Sequence, residues 1–260
     1  PRADKYNHAA MFPMRSGKAS PDLVRLPECA LLCNLPKPGE SPALLQHSEV
    51  TTFFHEFGHV IHHLIGGRQR WAGISGIANE WDFVEAPSQL LEEWTFDAGT
   101  LATFAAHHET GAPLPAEMVA KLRAADEFGK GLQVRQQMFY ASVSLELYRT
   151  DPAKLDVTRI VRTATETHTP YPFIDGTYFE LSFGHLVGYS AIYYTYMWSL
   201  VIAKDLYTRF SAEGLPAPAA SAAYRDAVLA PGGSAPAADL IRDFLGRGYT
   251  FDAYQAWLDA

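Results

Sequence analysis

His55-Glu56-Phe57-Gly58-His59 reads H-E-x-x-H, a spacing suited to metal chemistry. On an α-helix, residues four apart lie one turn apart on the same face, so both imidazoles can reach one zinc ion. Glu56 is rotated about 100° from His55, where it can address a water at the metal without ligating the metal itself. The bland alternative is a pair of satisfied core histidines, and the apolar helical pattern around the motif favours the metal. Two protein ligands are too few for such a site, so a third must come from downstream. The motif that continues with Gly and then His at fixed helical offsets is not met, because His62 and Ile65 occupy those positions. His62 lies about 20° from His55 by helix geometry but one turn further along. It is expected to be a core residue or a support for a ligand, and His63 a helix-end residue pointing elsewhere.

Carboxylates for the third position come from the next helical segment: Glu80, Asp82, Glu85, Glu92 and Glu93. Glu85 and Glu92 are seven apart and share a helix face, with Asp82 one turn before Glu85. One of them can ligate while another, Glu92 or Asp82, orients a histidine N–H. Glu80 follows Asn79, an Asn-Glu pair like the one that carries the third ligand in thermolysin-like enzymes. Spacing alone leaves Glu80 and Glu85 in competition, and a solvated helix face is the bland alternative for any one of these acids.

A third cluster runs from Phe183-Gly184-His185 to Trp198. If a helix begins near Leu186, Tyr189, Tyr193 and Tyr196 form one stripe. An aromatic stripe is more often core than catalysis. Three phenols on one face nevertheless leave three hydroxyls to satisfy, and beside a metal they make sense as donors to a developing oxyanion.

The elements that must position these groups follow from the pattern of apolar residues and breakers. Residues 1–40 carry short apolar runs, Ala9–Met14 and Cys29–Leu35, punctuated by Pro and Gly, and read as short strands and turns. From Ser41 onward the pattern is helical. One segment covers about 42–65 and stops at Gly66-Gly67. A second covers about 79–108 with Pro87 as a kink, and a third about 115–148, divided near Gly129 and Gly131. Shorter helices are expected at about 152–166, 187–211, 219–229, 236–245 and 251–259. The fold class is therefore mainly α, with a small β element at the N-terminal end.

Composition narrows the function. The chain has 260 residues, 48% hydrophobic, and a net charge of −8. Such an apolar fraction excludes a disordered chain, and no apolar run is long enough for a membrane span. The acidic balance argues against a nucleic-acid binder and leaves room for neutral or cationic ligands. Cys29 and Cys33 are too few for a disulfide scaffold and read as buried, reduced thiols, which favours a reducing compartment such as the cytoplasm. The chain begins at Pro1, which reads as a cut rather than a start.

Several blocks together carry a family resemblance. They are Lys5-Tyr6-x-His8-Ala9, residues 44–59 ending in the H-E-x-x-H motif, and Asp82-Phe83-Val84-Glu85-Ala86-Pro87-Ser88-Gln89. They continue with Thr177-Tyr178-Phe179-Glu180-x-Ser182-Phe183-Gly184-His185-Leu186, the tyrosines 189–196 with Trp198, Pro231-Gly232-Gly233-Ser234, and Phe244-Leu245-Gly246-Arg247. In this order they resemble the M3 metallopeptidases, the group of thimet oligopeptidase, neurolysin, oligopeptidase A and dipeptidyl carboxypeptidase. The resemblance implies a multi-helix, zincin-like catalytic domain over residues 1–260 holding one zinc ion. It implies Glu85 as third ligand beside His55 and His59, and Glu56 as general base. It also implies that Tyr189, Tyr196 and His185 grip the scissile carbonyl or the peptide backbone, with Tyr193 beside them. Between His185 and Tyr189 the loop is one residue shorter than the Gly-Gly-Tyr form common in that family. Its members are usually much longer, so the chain is expected to be the C-terminal part of a two-lobed enzyme. Its substrates are expected to be short peptides, with no nucleic acid, membrane or obligate protein partner. Internal cleavage and release of C-terminal dipeptides both fit.

Overall fold

The computed structural model describes residues 1–40 and 42–260. The Pro- and Gly-punctuated start folds as four short strands: β1 (Ala10–Arg15), β2 (Lys18–Ser20), β3 (Leu23–Arg25) and β4 (Glu28–Leu32). β1 pairs antiparallel with β4, Met11 opposite Leu31, with an irregularity between Pro13 and Arg15; β2 and β3 form a separate hairpin. This element is clamped to the end of the helix that carries the H-E-x-x-H motif. A Cβ on Gly17 would lie 1.9 Å from the Gly67 carbonyl oxygen, so only glycine admits that approach. The Ala19 amide then donates to Gln69 O at 2.8 Å. The Gly66-Gly67 pair thus ends the helix and also seats the hairpin.

The remainder is helical, as expected for a mainly α chain. α1 spans His47–Ile65, starting later than residue 42 because Gln46 forms a capping box with Glu49. α2 (Ala86–Glu92) leads into a 3₁₀ turn at Glu93–Phe96 and the short α3 (Ala98–Leu101). α4 (Ala116–Glu127) and α5 (Lys130–Arg149) are separated at Gly129, whose φ of 75° is the left-handed region glycine tolerates. They are followed by α6 (Val157–His168), α7 (His185–Gly188), α8 (Thr195–Glu213), α9 (Pro218–Tyr224), α10 (Ala237–Leu245) and α11 (Asp252–Asp259).

Two expected helices are broken, each for a local reason. Residues 79–85 form no helix, and Pro87 does not kink one; it stands in the first turn of α2, where a missing N–H costs nothing. The helix expected over 187–211 is interrupted between α7 and α8. Ser190 takes φ of 50° there, and its carbonyl accepts a hydrogen bond from Ser144 Oγ of α5. The three tyrosines therefore do not form a stripe on one helix.

Two apolar clusters hold the elements together. The larger packs Phe83, Leu90, Leu206, Phe210, Val228, Ile241 and Phe244 among α1, α2, α8, α9 and α10. The smaller joins α5 and α6 to the 183–193 segment through Phe139, Val143, Val161, Phe183 and Tyr193. α8 packs against α2, α5, α10 and α11 and so links both clusters. Cys29 and Cys33 are free and half-buried rather than fully buried. Burial raises both thiols, with Glu56 adding to the effect at Cys33 and Lys5 opposing it. Among the described residues, no helix is long and apolar enough to cross a membrane.

Candidate active site

The site is built where α1 crosses the start of α2. Gly58 faces that crossing: a Cβ there would sit 2.7 Å from Ser88 Cα and 3.1 Å from Pro87 O. Its absence lets the residue before α2, Glu85, rise between the two histidines of α1. His55 Nε2 and His59 Nε2 lie 3.2 and 3.1 Å from Glu85 Oε2. One donor atom from each of the three residues lies within 4.8 Å of the others, in a group that can hold a metal ion.

The electrostatics fit a cation at that point. Glu85 is 1% exposed. Burial opposes its charge, yet hydrogen bonds and charge from His55 and His59 hold its carboxyl well below the usual range. His55 meets a second carboxylate on its other side, with Nδ1 2.6 Å from Glu92 Oε1. Burial disfavours its charged form, but Glu85 and Glu92 outweigh that and raise its pKa well above the ordinary imidazole value. The buried anion is thus balanced at the His55 imidazole, a task a divalent cation bound by the same nitrogens would take over. Two imidazoles and one carboxylate form a donor set typical of an open zinc site, and the residues present fit that ion.

Glu92, not Asp82, is the carboxylate beside a histidine. Asp82 lies in the turn before α2 and accepts a hydrogen bond from Tyr194 Oη at 3.2 Å. Glu80 is also turned away: its Oε1 accepts the Ala237 amide at 2.9 Å, at the first turn of α10. His62 is fully buried without a hydrogen bond to either ring nitrogen among the described residues. Burial, then His59 and His63, push its pKa down to about 3. His63 is no bare helix end; it is 2% exposed and its Nε2 is 3.2 Å from Arg15 O of β1.

Glu56 points into a cavity of about 1080 Å³ whose floor also carries His55, His59 and Glu85. Its Oε2 accepts the Met11 amide of β1 at 2.9 Å. One wall is the Tyr6–Met11 stretch, held by Asn34 Nδ2 donating to Tyr6 O at 3.0 Å and His8 O at 3.1 Å. Trp81, His185, Tyr189 and Tyr196 form another part of the lining. No lysine or arginine is among the described residues that line it.

Despite the broken helix, the tyrosines converge. Tyr189 Oη donates to Glu85 Oε1 at 2.5 Å, and its ring stacks on Tyr196 at 5.4 Å. Burial first, then the Glu85 charge, pushes both phenols far above their ordinary pKa, so both remain protonated donors. His185 packs against Tyr189 and Tyr196, and burial followed by the nearby His8 lowers its pKa towards the neutral form. Tyr193 sits behind these residues, 7% exposed in the smaller apolar cluster, and does not line the cavity. The Tyr6–Met11 wall and Trp81 were not singled out from the sequence. The Lys5–Ala9 block was the one available signal.

Comparison with known proteins gives the chain a family. The profile of peptidase family M3 matches residues 1–259. Oligopeptidase A of Haemophilus influenzae is 36% identical over 238 residues, covering 88% of this chain and 34% of its own. Saccharolysin of Saccharomyces cerevisiae is 36% identical over 265 aligned residues, covering 98% and 36% respectively. The human mitochondrial intermediate peptidase is 34% identical over 234 residues, 89% of this chain and 33% of its own. The chain spans about a third of the length of these relatives. With a family match from end to end, the chain belongs to peptidase family M3.

Proposed function

We propose that this chain is a zinc metallopeptidase that hydrolyses short peptides. His55, His59 and Glu85 hold the ion, and Glu92 fixes the orientation of His55 through its Nδ1. When bound, zinc supplies a Lewis acid at the floor of the cavity, which favours attack by water on a peptide carbonyl. Glu56 takes the proton from the attacking water and delivers it to the departing amine. Tyr196, held protonated, donates to the oxyanion that develops on the carbonyl, a role in which one lost donor typically costs about 10²–10³ in rate, while Tyr189, whose one hydroxyl proton goes to Glu85 Oε1, steadies that carboxylate beside it. His185 stands beside them and steadies the substrate backbone. The Tyr6–Met11 wall and the absence of lysine and arginine from the described lining suit neutral or basic peptides.

The observation that carries this proposal is the convergence of His55, His59 and Glu85 beside Glu56 on the floor of one cavity. The test is metal removal with a fluorescence-quenched oligopeptide as substrate. Chelation abolishes turnover and stoichiometric zinc restores it. Undiminished turnover by metal-free protein rejects the proposal.

A further inference from the structure

α8 and the segment that carries Glu85 are joined by a set of side-chain hydrogen bonds that no part of the chemistry above uses. The turn at residues 81–85 leaves backbone carbonyls without helical partners. Two of them are met from α8: Thr195 Oγ1 donates to Trp81 O at 2.5 Å, and Ser199 Oγ donates to Asp82 O at 2.9 Å. Thr195 and Ser199 are one helical turn apart on the same face, and both are fully buried. A third bond runs the other way, from Gln89 Nε2 of α2 to Tyr196 O at 2.9 Å. None of the three side chains lines the cavity.

The placement of these bonds is what gives them a role. In sequence, Glu85 lies between Asp82 and Gln89, and Tyr196 lies between Thr195 and Ser199. The bonds therefore bracket the carboxylate on one element and the phenol on the other. Leu90 of α2 and Leu206 of α8 share the larger apolar cluster, and such non-directional packing resists separation but allows sliding. Directional hydrogen bonds to backbone carbonyls fix the register.

We propose that Thr195, Ser199 and Gln89 are positioning residues that set the distance between Glu85 and Tyr196, and with it the grip on the transition state. The inference rests on the metallopeptidase reading given above. A carbonyl-gripping phenol must match the geometry of the tetrahedral species more closely than that of the bound peptide. Loosening its register therefore lowers kcat and spares KM and zinc affinity.

The test compares zinc-loaded wild type with Thr195→Val, which removes the hydroxyl at nearly constant shape, with Ser199→Ala, and with Thr195→Ser, which keeps the hydroxyl. Three quantities are measured: zinc affinity, kinetics on a quenched oligopeptide, and binding of a phosphinic peptide that mimics the tetrahedral species. For Thr195→Val and Ser199→Ala the expected result is zinc affinity and KM within about threefold, with kcat about 10–100-fold lower. Phosphinic-peptide binding weakens by the same factor as kcat, and Thr195→Ser restores both. Wild-type values of kcat and phosphinic-peptide binding in Thr195→Val overturn the inference. So does a joint loss of zinc affinity and thermal stability with a rise in KM, which marks general damage to the fold. If zinc-loaded wild type neither cleaves peptides nor binds the phosphinic peptide, the metallopeptidase reading itself has failed.

Discussion

Replacing Gly58 by alanine tests how closely α1 and α2 must approach for the donor atoms to meet. The added Cβ would stand 2.7 Å from Ser88 Cα, 3.1 Å from Pro87 O and 3.3 Å from Ser88 N. All three neighbours are backbone, so none can swing aside as a side chain would. Restoring ordinary contact of about 3.5–4 Å requires the helices to part by roughly 1 Å at the crossing. Metal–ligand distances tolerate about 0.2 Å, and Glu85 is only three residues from Ser88. Two terms of opposite sign set the stability. Alanine is favoured over glycine inside a helix by about 1 kcal/mol, and overpacking costs about 1–3 kcal/mol. The expected outcome is a net loss of about 0–2 kcal/mol by urea titration, a modest change. Zinc affinity falls by about 10–100-fold, the range seen when groups supporting a metal ligand are disturbed. A competition titration with a chromophoric chelator reads this directly. Wild-type zinc affinity in Gly58→Ala would show that the close crossing does not place Glu85, and the reasoning would be wrong.

Two further predictions concern the histidines. Glu92→Ala removes the acceptor 2.6 Å from His55 Nδ1; zinc affinity is expected to fall about 10–100-fold, and an unchanged value counts against the orienting role. His62 is buried in its neutral form, with a folded pKa of about 3 against an ordinary imidazole value. The unfolded chain binds that proton first, so this contribution to stability is complete above about pH 6.5 and declines as pH falls towards 3. His62→Met is expected to flatten the loss of stability between about pH 6.5 and 4, measured as urea midpoints; an unchanged slope would assign that loss to other groups.

How much of this was legible in the sequence depends on the kind of information each residue carries. His55, Glu56 and His59 were legible because helix geometry alone relates them. Glu85 was not legible from spacing. It sits at the helix boundary, and the choice between it and Glu80 depends on how α1 crosses α2, which no single-segment pattern encodes. The family blocks supplied that choice. Pro87 was read as a kink because the periodicity runs on across it, whereas the chain uses it to open a helix. The break before α8 turns on Ser190 in a left-handed conformation, which a serine does not advertise as glycine would. That break sends Tyr193 into the core and leaves Tyr189 and Tyr196 on the cavity. Asp82 shared a predicted face with Glu85 and Glu92, and lost that relation once residues 81–85 became a turn. The Tyr6–Met11 wall is a loop together with the first two residues of β1, positioned by Asn34 and the sheet rather than by any periodicity.

In the proposed reaction Glu56 moves the proton, and zinc held by His55, His59 and Glu85 would make that reaction possible. Glu56→Gln keeps the size of the side chain and removes the base. The decisive measurement is turnover of a quenched oligopeptide by Glu56→Gln, made alongside its zinc content. The account predicts one zinc per chain and a rate about 10²–10⁴-fold below wild type. Full zinc occupancy with wild-type turnover would contradict it.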